Sequence, residues 1–301
     1  MTIILCSWDN LMEPGIISGF SKLGISVTEF KHPLNDYDTD ADYLNALSAF
    51  LLAQTNVNAV FSVNYIPVVA MVCKAHRIPY LSWTVDCPCL TLYSDTIAYP
   101  TNYIFLFDRV QAVKFAPYNP GHIFHLPLAF DPSFFDEHKP TEKERTKHSC
   151  DVSFIGSLYI KNNQYDSVSS KLPSHMQGYV DGLLSAQQQV YGYNLLKDSI
   201  SDEWADSFLR YAEFQILPNY RPDYTDFIAD YYLGYKCTQL DRIHILRQVS
   251  QLAKTHTYTT DDTFCYPEIN NLGIADSTTV TPKVFASSRI NLNISLRMFI
   301  V

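Results

Sequence analysis

What most constrains the fold of this chain is a series of short, nearly unbroken apolar runs. Each is followed by polar residues and then by a stretch of helical periodicity. TIILCSW (2–8), ISVTEF (25–30), AVFSV (59–63), PYLSWTV (79–85), NYIFLF (102–107) and HIFHLPLA (122–129) have the length of strands. Runs that do not alternate apolar with polar residues need cover on both faces, as strands of a parallel sheet have. Helical spacing fills the intervals, up to Leu23, over about 41–54, and in YIPVVAMVCKAH and RVQAVKFA. Asp9-Asn10 offers capping side chains to the first helix, and Gly24 ends it. This alternation with short loops predicts a doubly wound α/β domain over residues 1–130.

The same pattern says where chemistry belongs, because ligands of open α/β sheets bind past the carboxyl ends of the strands. The residues there are Trp8, Asp9, Asn10, Asn64, Tyr65, Asp86, Cys87, Asp108, Arg109 and Asp131. Asp86 stands apart, since the run YLSWTV ends on a carboxylate and Pro88 follows two residues later to stop the strand. The competing reading makes Asp86 a helix cap with Pro88 in the first turn.

Beyond residue 130 the composition changes. Residues 131–149 are the most charged stretch, the composition of a linker. CDVSFIGSLY then opens a second domain, 150–301, on a strand that runs into Gly156-Ser157. A strand leading to a glycine turn suits close backbone approach to a phosphate, although neither G-x-G-x-x-G nor Walker spacing is present. Residues 173–254 read as helical, interrupted by Pro218 and Pro222. THTYTT (255–260) reads as a strand, TPKVFASS as a helical turn and INLNIS (290–295) as a last strand.

A net charge of −9 without a basic block argues against nucleic acid as partner. Seven scattered cysteines, an odd number, suggest reduced thiols. No run reaches the ~18 apolar residues of a membrane span, and the opening MTIILCSWDN lacks the basic start of a signal peptide. The expected location is therefore cytoplasmic. Charged residues are scarce (18%) beside 21 tyrosines, which leaves open a tyrosine-rich core or aromatic platforms for sugars. No metal is expected. The acids of DYDTD (36–40) precede a helix whose first turn favours them, and Cys87-x-Cys89 has no second pair at zinc spacing. His122 and His125 would face opposite sides of a strand. No G-x-S-x-G elbow supports a hydrolase triad.

Several of these stretches, in order along the chain, resemble the bacterial group-1-like glycosyltransferases related to the spore-maturation protein CgeB. They are AVFSVNYIPVVAMVCKAHRIPYLSWTVDCPCLTLY, NYIFLFDRVQ, HLPLAFDP, CDVSFIGSLY and TPKVFASSRINLNISLR. The pair SFIGSLY and KVFASSRINLNISLR is the most specific. The resemblance implies a GT-B architecture, with two Rossmann-like domains facing each other across a cleft. The acceptor, a glycan or protein, would lie mostly on the first domain and a nucleotide-sugar donor on the second. The nucleotide-sugar is then a co-substrate, and no cofactor is implied. Gly156 and Ser157 match the turn that opens the donor domain, and Lys283 and Phe285 match a P-K-V-F turn before the last strand. Asp86 matches the polar acceptor rim, along which Asp9, Asn10, Asn64 and Asp108 also fall. As a general base Asp86 would take the proton of the acceptor hydroxyl, a role inferred from its position and not supplied by the resemblance.

In that family a Gly-Pro turn and an acidic residue follow the strand matched by INLNIS. The chain stops at Val301, so the second domain is expected to be incomplete, short of roughly two βα units of about 30 residues each. The alternative expectation is a non-catalytic truncated module that binds a sugar, a peptide or a partner glycosyltransferase. It could form homo- or hetero-oligomers through the unfinished sheet edge.

Overall fold

The computed structural model describes residues 1–130, 137–161, 163–215 and 218–297. It is a mixed α/β protein of two compact units, Met1–Phe130 with Ile216–Arg221, and Asp131–Gln215 with Pro222–Val301.

Unit 1 is a six-stranded parallel sheet made of β1 (Thr2–Ser7), β2 (Ser26–Lys31), β3 (Val57–Val63), β4 (Tyr80–Thr84), β5 (Asn102–Leu106) and β6 (Ile123–His125). Its order is β2-β1-β3-β4-β5-β6, so the direction of winding reverses between β1 and β3. One face carries helix α1 (Glu13–Lys22), whose Ile16, Ile17 and Phe20 pack on Ile3, Leu5, Phe61 and Val63. The other carries α2 (Ala41–Ala53) and α3 (Pro67–His76), which bury Tyr43, Leu47, Val68 and Val69 against Ile4, Cys6 and Val60. Local chemistry sets the helix ends. Asp40 accepts from the Tyr43 amide to cap α2, Pro67 starts α3, and Arg77 closes it in the left-handed region at φ +56°. The acids of DYDTD are thus turn and cap residues.

The last strand is shorter than its sequence suggests. HIFHLPLA spans eight residues, but β6 pairs only over Ile123–His125, beside β5 at the sheet edge. Pro127 has no N–H to donate, so pairing cannot continue past the Leu126 amide, which still reaches Leu106 O at 2.9 Å.

The segment expected to be a linker contains helix α5 (Glu142–His148), closed by a capping box between Thr141 and Glu144. Its high charge is that of an exposed helix with acids in the first turn and bases in the last. Unit 2 then forms a parallel sheet β8-β7-β9 from β7 (Cys150–Ile155), β8 (Thr255–Tyr258) and β9 (Ser288–Leu292). An isolated parallel bridge from Thr257 to Asn271 places one more extended residue outside β8. In chain order this is 3-2-1-4, the opening of a Rossmann-like sheet, with its reversal between β7 and β9.

Between β7 and β8 the chain is helical, as its periodicity predicts. It forms α6 (Gln164–Ser169), α7 (Ser174–Gln189), α8 (Leu195–Ser199), α9 (Asp202–Ala212) and α10 (Tyr224–Phe227). A π-helical turn (Ile228–Gly234) leads from α10 into α11 (Tyr235–Leu252), and α12 (Thr281–Ser287) precedes β9.

One short piece of the helical region departs from the expected domain limits, because Tyr220 belongs to the core of unit 1. Its hydroxyl donates to Asp38 (2.9 Å), and Ser94 pairs with it in an antiparallel bridge. The Asp95 amide donates to Asn219 O (2.7 Å), and the Arg221 amide to Tyr93 O (3.0 Å). Pro218 and Pro222 bracket this segment. They mark a passage between units as well as an interruption of helices.

Candidate functional site

In unit 1, a buried polar network fixes the loop after β3. Ser62 Oγ meets Tyr80 OH at 2.5 Å, and that hydroxyl accepts from the Ile66 amide at 3.0 Å. Tyr65 OH donates to Thr96 Oγ1 (2.8 Å), and Asn102 Nδ2 reaches Tyr65 OH and the Thr96 carbonyl. These partners leave Asn64 in the left-handed region at φ +62°, a conformation that asparagine tolerates better than most residues. Its side chain bridges to the next strand end. Asn64 Oδ1 accepts from the Val85 amide (2.9 Å), and Nδ2 donates to Asp86 Oδ2 (2.6 Å). Asp86 is therefore an exposed carboxylate aimed by an amide, and it caps no helix.

The other rim residues have separate tasks. Asp9, at φ +57°, forms an exposed ion pair with Lys31 (2.6 Å). Asn10 Oδ1 accepts from the Met12 amide (2.9 Å), and Asp108 caps α4 (Arg109–Phe115) through the Gln111 amide (2.6 Å). Of the rim residues, the structure joins Asn64 with Asp86. Asp131 lies outside the described residues.

In unit 2, Gly156 follows β7 with φ +157°, where a Cβ would meet the Phe154 ring at 3.4 Å. Its amide donates to Tyr258 O (3.0 Å), extending the ladder. The amides beyond it converge on Asp261, a residue the sequence reading passed over. That carboxylate accepts from Leu158 N (2.5 Å), Ile160 N (3.0 Å), Lys161 N (3.2 Å), Ser157 Oγ (3.0 Å) and Thr259 Oγ1 (3.1 Å). Burial opposes its charge, but these donors prevail and hold its pKa below the ordinary aspartate value. The backbone nest in which a phosphate could sit is filled by the chain's own carboxylate, and the Ser157 amide is left without a partner among the described residues.

Arg242 joins this loop to the next. It donates to Ser157 O (2.6 Å) and, through Nε and Nη2, to Ile294 O (3.0 and 2.6 Å). Its guanidinium also lies over the rings of Phe154 and Tyr159. Among the described residues no carboxylate is within ion-pair distance of it, and burial pulls its pKa below the usual guanidinium value. Arg242 therefore ties the loops after β7 and β9 together at the reversal of the sheet, where ligands of such folds bind. Tyr159, in the left-handed region at φ +57°, and the exposed Lys161 complete the rim. Only long-range contacts reveal Arg242 and Asp261, since they lie 85 and 104 residues beyond Ser157.

Lys283 and Phe285 stand elsewhere. Lys283 pairs with Glu144 at 2.7 Å, on the helix that leads into the amino end of β7, whereas Gly156 follows the carboxyl end. Phe285 lies on the same helix as Lys283, and its carbonyl accepts from Asn291 Nδ2 (3.2 Å).

Among the described residues no helix is long and apolar enough to cross a membrane. No group of three or more His, Cys, Asp or Glu in them could hold a metal ion. No family model matches the chain, and no curated protein matches it.

Proposed function

We propose that this protein is a glycosyltransferase of GT-B type that moves a sugar from a nucleotide-sugar donor to a glycan or protein acceptor. The observation that carries the reading is the sheet reversal of unit 2. There Arg242 joins two strand-end loops whose Ser157 and 293–296 amides have no partners among the described residues. Unpaired amides beside a fixed guanidinium are the groups that stabilise a leaving diphosphate. Lys283, already paired with Glu144, contributes less to that task than Arg242 and Lys161. On unit 1, Asp86 is the group to take the acceptor's proton, and Asn64 sets its direction. The cytoplasmic location expected from the sequence belongs to the same proposal.

Calorimetry of the 301-residue chain against UDP, GDP, ADP, TDP and CMP and their sugar conjugates tests it. The expected result is binding of one nucleotide class, lost in Gly156→Trp while the far-UV spectrum of the variant stays native. Transfer should then fail in Asp86→Ala with nucleotide affinity retained. Binding without turnover under any acceptor would favour a non-catalytic sugar-binding module, and no nucleotide binding would overturn the reading.

A further inference from the structure

Helices α7 and α9 of unit 2 meet in opposite order along their lengths and leave a groove that is bounded at both ends. At one end the Tyr179 and Trp204 rings lie with centroids 5.9 Å apart. At the other, Lys171, ahead of α7, pairs with Glu213, just past α9, at 3.2 Å. Between these clips is a cavity of about 430 Å³ lined by Pro173, His175, Met176, Ser207, Arg210 and Tyr211. Its volume falls within the roughly 300–1,000 Å³ typical of small-molecule sites. None of these six residues belongs to the strand-end loops or to the rim of unit 1.

The positive charge in this cavity is uncompensated. Helical spacing puts Asp206 four residues before Arg210 and Glu213 three residues after it, where either could pair with the guanidinium. Neither does. Glu213 stands beyond the end of α9 at φ +53° and pairs with Lys171. No carboxylate among the described residues is within ion-pair distance of Arg210, whose bond from Nη2 reaches Ser207 Oγ at 3.0 Å. That bond leaves the other guanidinium N–H groups open, and the Ser207 hydroxyl, an acceptor in it, keeps its own proton to donate. His175 has no hydrogen-bond partner among the described residues, and none of the six lining residues is acidic.

A guanidinium and a hydroxyl side by side on one helix suit an oxyanion. A phosphate monoester carries about −1.5 to −2 at pH 7, more than one fixed cation balances. A carboxylate matches it. The rest of the wall is apolar, with Met176 3% and Tyr211 39% exposed and Pro173 beside them. A thioether and a phenol ring both favour contact with an aromatic ring.

We infer that this cavity is a binding site for an aromatic monocarboxylate, its carboxylate held by Arg210 and Ser207 and its ring placed against Met176 and Tyr211. The site goes beyond the transferase reading and does not rest on it.

The test is calorimetry of the full chain against benzoate, 4-hydroxybenzoate and indole-3-carboxylate, with acetate, benzamide and phenyl phosphate as comparisons. At least one aromatic carboxylate is expected to bind, one per chain, more tightly than acetate, which lacks the ring, and benzamide, which lacks the charge. Affinity should fall about tenfold or more in Arg210→Gln, the usual effect of losing a charged hydrogen-bond donor. Arg210→Lys keeps the charge without the fork and should recover part of that loss. Tyr211→Ala should weaken the aromatic acids and leave acetate unaffected. Arg221→Gln, which removes an exposed arginine of unit 1, should change nothing. Should Arg210→Gln lower the melting temperature, Ser207→Ala, which removes only a hydroxyl, gives the same reading through a smaller loss of affinity. The inference is overturned if no aromatic carboxylate binds, or if binding survives both Arg210→Gln and Ser207→Ala. It is also overturned if benzamide binds as well as benzoate, or if phenyl phosphate binds more tightly than every carboxylate.

Discussion

Replacing Asp261 with alanine removes one acceptor from five donors at once, three of them backbone amides. Leu158 is fully buried, so its amide cannot turn to water and bears the whole cost of an orphaned donor, about 1–3 kcal/mol. Ser157, Ile160 and Lys161 are nearer to solvent and recover part of the loss. Counted at about half that cost each, they bring the expected destabilisation to about 2.5–7.5 kcal/mol. For a unit of this size, where each kcal/mol moves the midpoint by about 2–4 °C, the unfolding of unit 2 should fall by roughly 10 °C. Asp261→Asn keeps one acceptor oxygen and turns an NH₂ toward the donors, so about half the effect is expected. The assay is thermal unfolding followed by Trp204, the only tryptophan of unit 2, together with hydrogen exchange at Leu158, Ile160 and Lys161. An alanine variant melting within 2 °C of the parent, or unchanged exchange at those amides, would refute the account of Asp261 as the organiser of this loop.

Three further outcomes are expected. Tyr220→Ala should destabilise unit 1 by about 3–5 kcal/mol, the usual cost of emptying a buried aromatic site, as seen in denaturant unfolding monitored by Trp8 and Trp83. An unchanged midpoint would detach the 218–221 segment from that core. Asn64→Ala should cost about 2 kcal/mol, combining a left-handed backbone with lost bonds to Val85 and Asp86, and Asn64→Gly should recover the backbone part; equal losses in both variants would contradict this. Burial, aided by neighbouring lysines, depresses the pKa of His148 and His256. The unfolded chain therefore takes up protons first as pH falls, so their contribution is complete above the unfolded pKa near 6.5 and is lost below it. Melting of unit 2 should drop between pH 7 and pH 5 with a slope that His256→Asn reduces, and identical slopes would count against it.

How legible this molecule is from its residues depends on the range of the interaction. The strands and helices of unit 1 follow from apolar runs, caps and prolines that act within a few residues, and they lie close to where the periodicity puts them. The end of β6 depends on Pro127 and on an edge position, which an apolar run does not display. Asp86 was visible as a carboxylate closing a buried strand, but its partner Asn64 lies 22 residues away. In unit 2 the glycine turn was visible, whereas the carboxylate that fills its nest and the arginine that ties it to the β9 loop are distant in sequence. Lys283 drew attention because of the motif around it, and its ion pair with Glu144, 139 residues away, is not encoded in any local pattern. Tyrosine richness left core and platform undecided. In the structure Tyr43, Tyr65 and Tyr80 are buried, and Tyr191 and Tyr193 stand exposed at a cavity rim.

The 218–221 segment has a consequence for the order of events during synthesis. The six strands of unit 1 are all made by His125, but Tyr220, which belongs to their core, appears 95 residues later. At about 5–20 residues per second the nascent sheet waits about 5–20 s for it. Most of the helices of the other unit emerge in that interval. Until then Asp38 lacks the hydroxyl that binds it, and the backbone groups of Tyr93 and Asp95 lack Arg221 and Asn219. Unit 1 is the first to be translated, but it is completed only after much of the other unit has emerged. A gene cut after Phe130 would yield a sheet that never receives its final part.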